Sequence, residues 1–194
     1  MNRFTKYLLV TSSLMLSSAA SAAPMPDGWY LGLSGDLTWL DHSDTGGGGN
    51  IDLGKRFMAS SLGDFRIEAE AGYHSASGSE GYGSTHYITY MGNLYYDFTS
   101  IFPRSSSGWH VVPYIGGGIG DAQAHFGSSS NNFTATYHSH DNLFAYQGMT
   151  GLSLTTASMP NTEWFAGYRY LETDHNDEAH IRSNNMELGL RFNF

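Results

Sequence analysis

The sequence predicts an all-β fold, an eight-stranded antiparallel transmembrane β-barrel, on three observations. The first is the stretch from Asn185 to Phe194. Met186, Leu188, Leu190, Phe192 and Phe194 are apolar, while Asn185, Glu187, Gly189, Arg191 and Asn193 between them are polar or lack a side chain. Strict alternation of this kind marks a strand with one apolar and one polar face. The second is that this strand runs to the final residue and stops on an aromatic one, where chain ends usually fray. A barrel in a membrane needs such an ending, because its last strand must pair with its first to leave no free edge. The third is an alternation of connections, longer polar loops after strands one, three, five and seven and generally shorter turns after two, four and six. Short periplasmic turns and four longer extracellular loops are the topology of a bacterial outer-membrane barrel.

The N-terminus reads as a signal peptide. Arg3 and Lys6 give a positive start, Tyr7 to Leu16 is mostly apolar, and Ala20-Ser21-Ala22 is a cleavage site of small residues. The expected division is 1–22 signal peptide and 23–194 outer membrane barrel, a mature part of roughly 170 residues, the size of one domain. Removing Arg3 and Lys6 leaves seven basic residues against eighteen acidic, a formal charge of about −11. Such a chain is not expected to hold nucleic acid by phosphate neutralisation. No run of about 18 apolar residues offers a spanning helix. The chain has no cysteine, which excludes disulfides and thiolate metal sites. Thirteen tyrosines and twenty-four glycines favour strands over helices.

The first strand is Trp29 to Trp39, with Trp29, Leu31, Leu33, Leu37 and Trp39 on one face and aromatics at both ends. That is the length of a tilted strand crossing a bilayer, with girdle residues at each interface. Asp41 to Asn50, with four consecutive glycines, reads as a loop. Ile51 to Met58 follows, its outward face carrying Lys55 as well as Ile51, Leu53 and Phe57. Either Lys55 snorkels at a membrane boundary or a bulge shifts the register. After a turn at Ala59 to Asp64, Phe65 to Tyr73 alternates Phe65, Ile67, Ala69, Ala71 and Tyr73 with Arg66, Glu68, Glu70 and Gly72. By itself this strand fits a soluble sandwich equally well.

Ser75 to His86 reads as the second loop. Tyr87 to Phe98 places Ile88, Tyr90, Leu94, Tyr96 and Phe98 outward, with Asn93, Tyr95 and Asp97 inward. Thr99 to Gly108 connects to Trp109 to Gly120, where Trp109, Val111, Pro113, Ile115 and Ile119 share a face. Gly116, Gly118 and Gly120 on the other leave room inside a narrow barrel; Pro113 has no ladder donor. Asp121 to Asn142 is the longest loop. Leu143 to Leu154, a turn at Thr155 to Asn161, Thr162 to Leu171, a polar loop at Glu172 to Ser183 and the terminal strand complete the series.

Tyr95-Tyr96-Asp97-Phe98, Pro113-Tyr114-Ile115-Gly116-Gly117-Gly118-Ile119-Gly120, Gly167-Tyr168-Arg169-Tyr170 and the terminal Phe194 resemble the outer membrane β-barrel, surface-antigen family of small eight-stranded proteins. The resemblance covers most of the mature chain. It implies insertion by the outer-membrane assembly machinery, which reads the terminal strand with Phe192 and Phe194. It also implies a role as a surface antigen, adhesin or small porin-like protein in the bacterial outer membrane, in contact with its lipid.

Four groups of residues are candidates for function. The strand register puts Asp36, Asp52, Glu68, Glu70, Asp97, Glu163 and Glu187 inside, with Arg56, Arg66, Arg169 and Arg191. An eight-stranded barrel is just wide enough to be filled by its own side chains, so these are expected to pair as a plug. The alternative is a narrow conduit, whose acid excess would favour cations. Eight of nine histidines, all but His110, fall in or beside the outer loops: His42, His74, His86, His125, His138, His140, His175 and His180. Their spacing matches no rigid metal site, and no metal or cofactor is expected. His138, Ser139 and Asp141 supply side chains suited to nucleophilic catalysis. They sit in a Ser/Asn-rich loop and match no motif of the lipid A deacylases or palmitoyltransferases found among small barrels, so an enzyme is not expected. Finally, Tyr82, Tyr87, Phe126, Phe133, Tyr137, His138 and His140 are candidate loop contacts for a host or cell-surface ligand. Gly116-Gly117-Gly118-Ile119-Gly120 is not a nucleotide loop, since no helix or phosphate-binding lysine follows. The expected function is that of a surface antigen or adhesin acting through its loops, with a small cation-preferring channel as the alternative.

Overall fold

The computed structural model describes residues 28–40, 45–60, 63–77, 84–102, 105, 108–126, 142–174 and 181–194. They form eight strands: β1 (Gly28–Leu40), β2 (Thr45–Ser60), β3 (Gly63–Ser77), β4 (Ser84–Asp97), β5 (Trp109–Phe126), β6 (Asn142–Thr156), β7 (Met159–Thr173) and β8 (Arg182–Asn193). Neighbours in sequence pair antiparallel, and β1 pairs with β8, so the sheet closes on itself. The seam runs from Tyr30 opposite Asn193 to Leu40 opposite Ser183, and the Phe194 N–H donates to the Trp29 carbonyl at 2.9 Å. No strand edge is left for another chain.

Alternation along each strand sorts side chains between wall and lumen. On β1, Trp29, Leu31, Leu33, Leu37 and Trp39 stand on the outer wall, while Tyr30, Asp36 and Thr38 are buried. On β8 the outer set is Met186, Leu188 and Phe192, with Leu188 64% exposed, and Asn185, Glu187 and Arg191 are buried. Trp29, Phe57, Phe65, Trp109, Trp164 and Phe192 ring one end of this apolar band, and Trp39, Tyr73, Tyr90, Phe144 and Tyr168 ring the other. A continuous apolar band between two aromatic girdles faces lipid rather than water. The first girdle shares its end with Gly28, Phe194 and the two-residue connections 61–62 and 157–158, and also with the longer 98–108 connection; short turns on that side are the arrangement of a periplasmic end.

Several strands run further than the alternation indicates. The glycine run Gly46–Gly49 is paired strand, opposite Thr38 to Gly35 on β1 and Ala76 to Tyr73 on β3, and not part of a loop. Low β-propensity is overridden by two neighbouring ladders. The glycine at 48 is also needed, because a Cβ there would strike the His74 ring. The outer ends of β3, β4, β5 and β6 likewise extend through Ser77, from Ser84, through Phe126 and from Asn142, and Glu172 pairs with Arg182. The outer connections are therefore 41–44, 78–83, 127–141 and 174–181. Polar composition does not stop a hairpin that has left the membrane, because backbone pairing still satisfies its donors.

Lys55 does face outward, and the register is unbroken there. The only irregularities among the described residues are at Met58/Ser60 and Thr155/Thr156. Pro113 sits where the β4–β5 ladder runs out. Its carbonyl accepts the Phe98 N–H at 2.8 Å, and the Phe98 carbonyl takes the Ile101 N–H at 3.4 Å in place of the missing proline donor. The 98–108 connection ends on Gly108, whose φ of 83° lies in the left-handed region that suits glycine.

Candidate functional site: the charged lumen

The lumen holds all eleven interior ionisable residues named from the sequence. They fall into three tiers, of which the lower two are joined through Glu68.

At the periplasmic end, Arg66 on β3 makes two hydrogen bonds to Asp97 on β4, Nε to Oδ2 at 2.7 Å and Nη2 to Oδ1 at 2.9 Å. Arg56 on β2 reaches Glu163 on β7 at 2.6 Å and lies 3.5 Å from Asp97. Arg191 on β8 completes the group through the other Glu163 oxygen at 2.8 Å and Ser153 at 3.3 Å. The guanidiniums are flanked by rings: Arg191 lies 3.8 Å from the Phe165 centroid and Arg66 lies 4.5 Å from that of Tyr95. Such faces stabilise a desolvated cation.

In the middle, Arg169 on β7 grips Glu70 on β3 at 2.5 and 2.8 Å and Glu187 on β8 at 2.9 Å. Asn93 on β4 donates to Glu70 at 3.0 Å and to Glu68 at 3.2 Å, and Gln147 on β6 donates to Asn93 at 2.7 Å. Glu68 joins the two lower tiers, since it also accepts from Tyr30 at 2.7 Å and Tyr95 at 3.1 Å.

Toward the outside, Asp36 accepts from Thr38 at 2.7 Å and from Asn50 at 3.3 Å, and faces His74 Nδ1 at 3.3 Å. His74 stacks on Tyr87 with ring centroids 4.7 Å apart. Both are buried, at 2% and 1% exposure. His74 is therefore a lumen residue rather than one of the loop histidines. Tyr87 is not available as a loop contact. The parity of their strands places them: Tyr87 is in step with Asn93 and Asp97, and His74 with Glu70.

Asp52 differs from the other lumen acids. It is buried beside Gly32, and it is the carboxylate among the described residues with a buried oxygen, Oδ2, that has no hydrogen-bond partner. Among the described residues, the seven acids named above share the lumen with four arginines and the His74 imidazole.

Apart from Tyr95, which the alternation of its strand places inward, sequence reasoning missed the apolar part of the filling. Tyr95, Tyr114, Met149 and Phe165 pack together in the periplasmic half, Met91 packs with Ala122 and Ala145, and Tyr87, Leu143, Leu171 and Ile181 pack under the outer mouth. Leu143 is in step with Gln147 and Leu171 with Arg169, so strand parity held the signal. The inward glycines make space for this filling. A Cβ at Gly116 would strike Tyr95, one at Gly118 would strike Asn93, and one at Gly120 would strike Met91.

Of the remaining candidates, Tyr82, Phe133, Tyr137, His138, Ser139, His140 and Asp141 lie outside the described residues, as do His42, His175, His180 and the signal segment 1–22. Phe126 is the last residue of β5, opposite Thr85. Phe192 and Phe194 sit on the outer wall at the periplasmic end. Among the described residues no three His, Asp or Glu side chains are grouped to hold a metal ion.

The sequence matches the family of the outer membrane protein beta-barrel domain over residues 8–194. The chain belongs to that family. Membership places the apolar outer wall in a bacterial outer membrane and the charged interior within a transmembrane barrel. Among solved structures, Neisserial surface protein A (NspA) is similar with a TM-score of 0.61 and 19% identity, over 86% of this chain and 97% of that one. The outer membrane enzyme PagL is similar with a TM-score of 0.50 and 18% identity, over 81% and 97%. Ail, the attachment invasion locus protein of Yersinia pestis, has a TM-score of 0.41 and 14% identity, over 87% and 97%. At such identities the likeness is one of fold. A comparison with curated proteins finds no match. The three tiers give this outer membrane barrel a polar interior of buried, mostly paired side chains.

Proposed function

We propose that this protein is a surface antigen or adhesin, acting through its extracellular loops on a barrel plugged by its own side chains. The observation that carries this reading is the pairing of the interior charges at successive levels, Arg56–Glu163 and Arg66–Asp97 joined through Glu68 and Asn93 to Arg169–Glu70, with the separate Asp36–His74 pair above them. Charges engaged with one another are committed to structure, which leaves the loops as the variable, water-facing part. Tyr82, Phe126, Phe133, Tyr137, His138 and His140 supply aromatic and polar contacts there for a host or cell-surface ligand. Residues 1–22 serve as the cleaved signal, and the assembly machinery reads the β8 strand with Phe192 and Phe194. The barrel needs no catalytic role for His138, Ser139 and Asp141, and the PagL likeness is one of fold alone.

The test is adherence of a bacterium expressing the protein to cultured host-cell monolayers. Replacing 127–140 by a Gly-Ser linker is expected to abolish adherence while leaving the heat-modifiable gel mobility of the folded barrel intact. Unchanged adherence in the replaced variant contradicts the loop assignment.

A second reading, a narrow cation-preferring channel, draws on the acid excess and on the unpartnered Asp52 oxygen. Under it, Glu70→Gln or Glu187→Gln changes conductance or ion preference.

A further inference from the structure

The outer wall carries one feature that neither the lumen nor the loops use. Across β1 to β5 a groove of about 590 Å³ opens along the outer wall, and its lining also takes in Gly54, Glu68, Asn93 and Gly118, which alternate toward the lumen. Its floor is set by Ala69, Gly92 and Gly117, which have little or no side chain, and its banks by Leu53, Leu94 and Ile119. The register explains it: Ala69 pairs with Gly92, Gly92 with Ile119, and Leu94 with Gly117. Ala69 and Gly92 thus fall side by side, and Gly117 lies diagonally across from Gly92, two residues along β5 from its partner Ile119.

The groove ends at Lys55 and Trp29. The Lys55 ammonium stands 5.5 Å from the Trp29 ring centroid and 5.1 Å from that of Phe57. Among the described residues it forms no ion pair. The other described cations are engaged elsewhere: Arg56, Arg66, Arg169 and Arg191 turn into the lumen, and Arg182 pairs with Glu172 near the outer mouth. Lys55 is therefore the one cation on the lipid-facing wall near the periplasmic girdle, among the described residues. A strongly hydrated ammonium held at that depth attracts an anionic headgroup.

We propose that this groove is a binding site for an anionic glycerophospholipid of the periplasmic leaflet. One acyl chain lies over Ala69, Gly92 and Gly117, and the phosphate meets Lys55 between the Trp29 and Phe57 rings. The site does not depend on what the loops bind. Its position at the periplasmic end selects a glycerophospholipid over the lipid A of the opposite leaflet.

The experiment is native mass spectrometry of the refolded mature protein, released from micelles containing equal phosphatidylglycerol and phosphatidylcholine. Folding is checked first by heat-modifiable gel mobility. Phosphatidylglycerol is expected to be retained preferentially. Lys55→Gln is expected to lower that preference about fivefold, the weight of one basic residue against an anionic lipid surface, and Lys55→Arg to keep it. A Cβ on Gly92 or Gly117 meets nothing nearer than 3.8 or 3.7 Å. Gly92→Leu/Gly117→Leu therefore fills the groove from outside without disturbing the wall, and should reduce retention of both lipids with Lys55 intact. Equal retention of the two lipids by the native chain, or retention unmoved by filling the groove, overturns the proposal.

Discussion

Arg169 on β7 holds Glu70 on β3 across the lumen through two hydrogen bonds of 2.5 and 2.8 Å, although the two strands share no edge. The backbone ladder joins each strand only to its neighbours. Contacts of this kind tie opposite walls together across a lumen whose width the strand number and stagger set.

Breaking that link leaves a buried charge without its partner. Arg169→Gln strands Glu70 and Glu187, and is expected to destabilise the barrel by about 3–5 kcal/mol. Replacing Glu70, Glu187 and Arg169 together by Leu, Leu and Met should recover much of the loss, since an apolar filling of similar volume has no charge to desolvate. By contrast, Arg182→Ala breaks an ion pair whose arginine is 42% exposed, and should change stability by about 1 kcal/mol or less. Urea unfolding in lipid vesicles measures all three. A stability loss for Arg169→Gln no larger than that for Arg182→Ala would contradict the structural role of the central tier.

The two faces of the wall should respond in opposite ways to added bulk. A Cβ on Gly118 strikes Asn93, which donates to Glu68 and Glu70 and accepts from Gln147. Gly118→Val is expected to cost about 1–3 kcal/mol through overpacking. Gly148 faces outward, with nothing within 4 Å of a Cβ built there. Gly148→Val should be neutral or mildly stabilising, since a strand favours a β-branched residue. The same unfolding series compares them, and equal losses would argue against a filled lumen.

The terminal residue closes the seam through its N–H to Trp29 and contributes an aromatic ring to the periplasmic girdle. Deleting Phe194 is expected to lower the fraction of folded barrel in cells several-fold, with a smaller effect on refolding in vitro. Heat-modifiable gel mobility of both preparations checks this. Equal losses in the two settings would assign Phe194 to stability rather than to recognition during assembly.

How much of this was legible in the sequence depends on the face in question. Outward residues such as Leu31, Leu188 and Ile67 alternate because lipid favours apolar side chains on that face, with Lys55 near the girdle as an exception, and they gave both the strand count and the register. The charged interior followed by parity, which is why Asp36, Glu70 and Arg169 were placed. Tyr87, Leu143 and Leu171 obey the same parity but are apolar, and an inward face assumed to be polar hid them. The glycines at 46–49 were read by their weak propensity, whereas two flanking ladders and the space needed by His74 decide their conformation. Pairing partners were also invisible. That Glu163 is shared by Arg56 and Arg191 depends on the barrel closing, a relation between residues 107 positions apart for the first of them.

The most direct test of the plugged barrel is planar-bilayer conductance of the refolded mature protein, with folding confirmed beforehand by the mobility difference between unheated and heated samples. Silent membranes are the predicted result, because Arg66–Asp97, Arg169–Glu70 and the apolar group of Tyr87, Leu143, Leu171 and Ile181 occupy successive levels of the lumen. Discrete, cation-preferring steps from folded protein would contradict that account and establish the lumen as the functional path.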